Sequence, residues 1–252
     1  KKYYKKFEKK LKPILTFVND QNNLIVADNL AKYYAVDIKT GELLWMKNNI
    51  SPFNSQIKIY KNNFFLTDFE NILRCYSIKD GKELWNVKTD TTFIKSQKKL
   101  SVVIQKGIIY FNNSIGDISA VDIDTGRLMW QTPTQDSSVY ESAFQLKTSD
   151  FILFKNSILF SNNNNEFFSI DIDTGTLIWQ QKINSSVRPT AIDDFVFTVS
   201  NEGFLTVIEN QTGNIIRITN VFDRIKVKKR SKIKPVGFIV GIENIYLTTD
   251  NG

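Results

Sequence analysis

Short apolar runs rich in Ile, Val and Phe alternate with polar turns along nearly the whole chain. Near the middle, SVVIQ (Ser101 to Gln105), GIIYFNN (Gly107 to Asn113), DISAVDI (Asp117 to Ile123) and GRLMWQT (Gly126 to Thr132) follow one another closely. Runs of this kind, bounded by Gly, Asn and Asp, predict β-strands, and four in succession predict an antiparallel sheet. The same division works through FQLKT, SILFSNN, FFSIDID and TLIWQQK (Phe144 to Lys182), and again through RPTAI, FVFTVSN, FLTVIEN and NIIRITN (Arg188 to Asn220).

One phrase recurs at the third and fourth strands of each set. Its copies are AVDIKTGELLW (Ala35 to Trp45), YSIKDGKELW (Tyr76 to Trp85), AVDIDTGRLMW (Ala120 to Trp130), SIDIDTGTLIW (Ser169 to Trp179) and a weaker VIENQTGNIIR (Val207 to Arg217). The turn glycines Gly41, Gly81, Gly126, Gly175 and Gly213 are 40, 45, 49 and 38 residues apart. That period suits a propeller blade of four strands. All four tryptophans, Trp45, Trp85, Trp130 and Trp179, stand four residues after a turn glycine.

The phrase carries its own chemistry. The glycine supplies the positive φ that closes a short hairpin with a bulge, and the Asp and Thr before it can bond the turn's backbone. The Trp ring is expected to cover the gap to the next blade while its N–H finds a partner. The division is then a basic N-terminal segment at 1–13 and blades at about 14–49, 50–90, 98–135, 142–184 and 187–221, with a partial blade at 232–252. That last unit stops at Gly252 where its third strand is due, so the sequence is expected to be part of a longer protein.

Composition supports a large all-β fold: 42% of residues are hydrophobic, and 19 Phe, 9 Tyr and 4 Trp suit pleated surfaces. The formal charge of +7 is concentrated in two places. Lys1, Lys2, Lys5, Lys6, Lys9, Lys10 and Lys12 crowd the N-terminus, and Arg224, Lys226, Lys228, Lys229, Arg230, Lys232 and Lys234 crowd a second segment. Both are expected to be solvated loops or charged edges that discourage strand pairing. Aromatic residues among the N-terminal lysines are read as a frayed or lipid-proximal segment, with no nucleic-acid partner expected.

The chemistry of catalysis is poorly supplied. There is no histidine, which removes the commonest general base and metal ligand together. Cys75 is the only cysteine, so an intrachain disulfide and a cysteine metal cluster are both excluded, and a packed small residue is expected there. The pairs Asp122 with Asp124 and Asp171 with Asp173 sit in the hairpin phrase and are read as turn caps rather than calcium ligands. Asn162 to Asn165 reads as a plain loop. No phosphate-cradling glycine pattern occurs, nor any run of about 18 apolar residues fit for a membrane helix. No catalytic residue, cofactor or metal is expected.

AVDIDTGRLMW, repeated with Gly and Trp in fixed places, resembles the repeat of PQQ-type β-propellers over about residues 14–252. Within that superfamily the compact spacing is most similar to the BamB family, and WQQKINSSVRPTAIDDFVFTVSNEGFLTVIENQTGNII and GFIVGIENIYLTTDNG resemble successive blades of it. The resemblance implies an eight-bladed propeller of which about five and a half blades are present. It implies no cofactor and a non-catalytic scaffold of the outer-membrane barrel-assembly complex. The partners implied are a BamA-like barrel-forming subunit and unfolded barrel precursors, the latter through β-augmentation. It further implies a place on the periplasmic face of a Gram-negative outer membrane, held by a lipid on a cysteine upstream of Lys1.

In that family the docking surface is built from inter-blade loops, including a Leu-x-Leu-Arg segment after a blade-ending strand. Alignment through Pro189 and Thr190 puts Gln181, Ile183 and Asn184 there, keeping one apolar position and losing the arginine. An acidic pair on the following loop falls in RIKVKKRSKIKP, which has only basic charge. The candidate partner-binding residues are accordingly Ile183, Asn184, Ser185 and Arg188 at one junction and Lys228, Lys229, Arg230 and Lys232 at the next. A PQQ-dependent dehydrogenase domain, or a propeller adaptor with another protein partner, is the alternative reading.

Overall fold

Strands that read as continuous apolar runs are buried on both faces, and those that alternate lie at a solvent edge. A computed structural model shows this, among its described residues, in five four-stranded antiparallel sheets and one hairpin. It describes residue 5 and residues 10–91, 98–134, 148–162 and 165–251. Most of the basic segment at 1–13, and Asn163 and Asn164, lie outside the described residues. The chain divides into two compact units, Lys1–Gln131 and Thr132–Gly252.

The first unit holds three sheets. One comprises β1 (Leu15–Asn19), β2 (Asn23–Asp28), β3 (Lys32–Asp37) and β4 (Leu43–Asn48), and the next β5 (Lys58–Tyr60), β6 (Asn63–Thr67), β7 (Ile72–Ser77) and β8 (Glu83–Lys88). The third comprises β9 (Val102–Gln105), β10 (Ile108–Asn112), β11 (Ile118–Asp122) and β12 (Leu128–Thr132), whose last residue begins the second unit. Each is a simple meander in chain order.

Period two explains how one sheet serves two cores. On β6, Phe64 and Leu66 face a cluster with Ile25, Tyr33 and Ala35 of the first sheet, while Phe65 faces a cluster with Val102, Ile109 and Val121 of the third. Leu73 and Cys75 of β7 share the side of Phe65, and Tyr76 joins the other. Both faces of the middle strands are thus buried, so the apolar run is nearly continuous, with Arg74 of β7 as a buried polar exception.

The second unit holds β13 (Ile152–Phe154), β14 (Ser157–Ser161), β15 (Phe167–Asp171) and β16 (Leu177–Gln181), then β17 (Thr190–Ile192), β18 (Phe195–Val199), β19 (Phe204–Glu209) and β20 (Ile215–Asn220). A one-turn helix, α1 (Val227–Arg230), and a hairpin of β21 (Pro235–Val240) with β22 (Ile245–Thr249) follow. FQLKT was expected as the first strand of its blade. Phe144 to Lys147 lie outside the described residues, and Ile152–Phe154 takes the place of the expected strand. RIKVKKRSKIKP contains a helical turn rather than loop alone. Among the described residues no helix is long and apolar enough to cross a membrane.

The repeated phrase closes as expected. All five turn glycines have positive φ, between 65° and 76°. Register shifts mark a bulge on the strand after the turn, where Leu44, Leu84, Ile178 and Ile216 are the extra residues opposite Ala35 and Val36, Cys75 and Tyr76, Ser169 and Ile170, and Val207 and Ile208. The tryptophan then reaches forward. A Cβ placed on Gly81 would lie 2.6 Å from the Trp45 ring, one on Gly126 2.7 Å from Trp85, and one on Gly213 2.6 Å from Trp179. Ring N–H groups finish the contact: Trp45 Nε1 donates to the Ile78 carbonyl at 2.8 Å and Trp179 Nε1 to that of Asn210 at 2.7 Å. Glycine is required there twice, once for φ and once because a tryptophan lies on it.

Candidate partner-binding site

Beyond β16 the chain crosses to the next sheet through residues 182–189, and this crossing is pinned from both sides. Ile183 is only 6% exposed and packs with Leu159, Phe167, Trp179, Val196 and Ile208. Its carbonyl accepts a bond from Ser161 Oγ at 3.1 Å. Ser185, 1% exposed, donates from Oγ to the Val199 carbonyl at 2.8 Å and accepts from Thr198 Oγ1 at 3.1 Å. Asn184 is half-buried, its Nδ2 donating to Glu202 at 2.6 Å and its Oδ1 accepting from Asn201 Nδ2 at 2.8 Å. Of the four candidates at this junction, Ile183 and Ser185 are therefore taken up by the fold, and Asn184 and exposed Arg188 face outward.

Beside Asn184 lies an open groove of about 730 Å³. Glu166, Lys182, Asn184 and Glu202 give it polar lining, and Phe204, Ile215 and Ile218 give it apolar lining. Phe204 is 40% exposed and Ile218 56%. Glu166 is held by Gln180 Nε2 at 2.6 Å and Asn162 Nδ2 at 3.2 Å. Fixed polar groups beside exposed apolar surface suit recognition of another chain. Arg188 does not line the groove.

Sequence reasoning missed Phe204, Ile215 and Ile218, which read as ordinary strand positions. The signal was present in NIIRITN: an edge strand facing water should alternate, yet Ile215, Ile216 and Ile218 are all exposed.

The second candidate group lies between β20 and β21. Lys228, Lys229 and Lys232 are exposed. Arg230 instead folds back, with Nε donating to the Ile225 carbonyl at 2.8 Å and Nη2 to that of Asp223 at 2.6 Å. It shapes the loop that displays the lysines. No residue of this group lines the groove.

The chemical candidates of the repeat are engaged in turns. Asp122 Oδ1 accepts from Thr125 N at 2.8 Å and Thr125 Oγ1 at 2.6 Å, and Asp171 Oδ1 from Asp173 N, Thr174 N and Thr174 Oγ1. The Thr125 bonds hold the Asp122 carboxyl below its ordinary 3.8. Desolvation pushes Asp171 upward, but the bonds from Thr174 and Asp173 outweigh it and leave the carboxyl lowered too. Cys75 lies in the core, where burial pushes its thiol up to about 12. Among the described residues no group of three or more His, Cys, Asp or Glu side chains could hold a metal ion.

These caps set an acid limit. A carboxyl whose folded pKa lies below its unfolded value stabilises the fold above the unfolded pKa, and that contribution disappears as pH falls through the folded one. Thermal stability is therefore expected to decline as pH falls below 3.8. Asp122→Asn keeps the acceptor oxygen and loses the titration. Calorimetry across that window should show a shallower decline for this variant than for the wild type.

A family model described as outer membrane protein assembly factor BamB matches residues 5–219. No curated protein matches the chain. Among solved structures, BamB from Moraxella catarrhalis superposes with a TM-score of 0.71 at 15% identity, covering 82% of this chain and 64% of that one. The chain thus spans under two thirds of that protein's length. The computationally designed protein Ika8 gives 0.69 at 16% identity, covering 94% of this chain and 69% of that one. A europium-containing methanol dehydrogenase gives 0.62 at 14% identity, covering 82% and 52%. At such identities the likeness of the structures establishes the propeller-type fold.

Proposed function

We propose, because the chain belongs to the family of the outer membrane protein assembly factor BamB, that it is a non-catalytic scaffold for assembly of outer-membrane β-barrels, docking on the barrel-forming subunit. The observation that carries this reading is the groove beside Asn184, where Phe204 and Ile218 stay exposed between polar groups fixed by the fold. Interfaces draw most of their affinity from a few such apolar anchors ringed by polar contacts. In this reading the protein works at the periplasmic face of the outer membrane, tethered there by a lipid.

Unfolded barrel precursors are proposed as a second class of partner. The last strands of the sheets support this, because they carry exposed apolar side chains such as Leu44, Leu84, Met129 and Ile178. An extended chain pairing with such an edge gains main-chain hydrogen bonds and apolar contacts together.

Affinity capture from detergent-solubilised envelopes tests the docking. The full chain is expected to retain the barrel-forming subunit, and Ile218→Asp combined with Phe204→Ser to reduce its recovery at least tenfold, the loss expected when an anchor pair is removed. Both positions are exposed enough that folding, followed by circular dichroism, should persist. A clean absence of the complex from the wild-type capture would sink the proposal. Added PQQ and calcium should give no alcohol oxidation, and turnover would overturn the non-catalytic part.

A further inference from the structure

The segment from Arg224 to Lys234 contains seven cations and no acidic residue. Its backbone is built to hold them out. Arg230 closes the loop on the carbonyls of Asp223 and Ile225, Lys232 N donates to the Lys229 carbonyl at 3.1 Å, and Lys234 N donates to Asp250 Oδ1 at 2.9 Å. Arg224, Lys226, Lys228, Lys229, Lys232 and Lys234 are left exposed, and among the described residues no carboxylate pairs with any of them. Val227, in the middle of this array, is 74% exposed.

From this display we infer that the loop docks on the surface of an anionic phospholipid membrane. The residue types favour headgroups over an acidic protein partner. Planar carboxylates are best matched by the guanidinium fork, and of the two arginines here Arg230 has its fork turned inward on its own loop. What remains is mainly ammonium groups. These are compact point charges suited to the diffuse phosphate layer of a lipid surface. Four to eight basic residues are enough for such attraction, and an exposed valine among them can enter the headgroup layer. The inference is independent of the groove and its partner, since none of these residues lines it.

Flotation of the purified full chain with vesicles tests it. Binding to phosphatidylcholine vesicles containing about a third phosphatidylglycerol is expected at low salt, with little to pure phosphatidylcholine, and raising the salt to about 0.5 M should release the protein. Lys228→Glu, Lys229→Glu and Lys232→Glu together should weaken binding at least tenfold. The control is Lys39→Glu, Lys82→Glu and Lys106→Glu, which makes the same change in net charge at exposed hairpin positions and should weaken it no more than about threefold. Equal losses in both triple variants, or equal binding to neutral vesicles, would overturn the proposal. So would unchanged vesicle binding in the first variant, and so would a loss confined to an acidic protein captured from envelopes. Unfolding temperatures of both variants identify any loss caused by misfolding.

Discussion

Trp179→Ala is expected to destabilise the second unit by about 3–5 kcal/mol, the range for deleting a large buried aromatic. The ring is 7% exposed, stacks on Phe167 at 5.9 Å between centroids and 12° between planes, and gives its N–H to the Asn210 carbonyl. Alanine leaves a cavity and removes the donor from that carbonyl. Gly213→Ala attacks the same contact from the other side, forcing a Cβ to within 2.6 Å of the ring at a φ of 76°. With Trp179 present, strain and collision add. With Trp179 already removed, only the strain of about 1–2 kcal/mol remains. A double-mutant cycle by chemical denaturation should therefore show strong coupling between these two positions. Gly41 provides a reference, since nothing lies within 4 Å of a Cβ placed there. Additive effects at Gly213 and Trp179 would contradict the account.

The second large effect is expected at Asp68, a fully buried carboxylate in the turn between β6 and β7. Its Oδ1 accepts from the amides of Glu70 at 2.9 Å and Ile72 at 3.2 Å, and its Oδ2 from Arg74 Nε at 2.8 Å. Arg74 also reaches Glu83 at 2.8 Å. Asp68→Ala leaves the buried Arg74 Nε–H and two turn amides without their acceptor, and breaking a buried pair from one side costs about 3–5 kcal/mol. The unfolding midpoint should fall by on the order of 10 °C for a chain of this size. Asp68→Asn keeps the turn acceptor and should fall clearly less. Equal losses would mean that charge pairing with Arg74, and not turn closure, dominates.

Much of this was legible because the repeat fixes chemistry at fixed spacing. A glycine at positive φ marks all five copies, and a tryptophan four residues later marks four of them. The caps between second and third strands escaped notice, although Asp28, Asp68 and Asn113 play one role, each accepting backbone amides of its own turn. Each stands 13 residues before its turn glycine, but the residue type changes between Asp and Asn and the flanking residues differ, so no shared phrase marks the position. The first strands were hard to place for another reason. Ile152–Phe154 spans three half-buried residues, too few to show any period. Helix α1 is shorter still in turns, and its lysine-rich sequence carries no apolar stripe to announce it.

The junction after β16 can be placed along the chain by alignment, but its surface cannot be read that way. Alignment located the crossing after Trp179 but could not tell which side chains turn inward. That depends on the parity of β16 and on Ser161 reaching across to the Ile183 carbonyl. Ile218 and Phe204 lie about twenty to thirty-five residues further along the sequence. They come to the same groove only because β19 and β20 pair with each other.

The seating of Trp45, Trp85 and Trp179 on the turn glycine of the following repeat also constrains how such a gene can change. A duplication or loss that spans one whole repeat, cut anywhere, returns a chain in which a tryptophan so seated is still followed by a glycine turn at the same spacing. A single codon gained between Gly and Trp does the opposite: it turns the ring to the other face of its strand and leaves both neighbours mispacked. Unequal recombination therefore passes through this fold far more easily than small insertions do, and the number of repeats can drift while the phrase that joins them stays fixed.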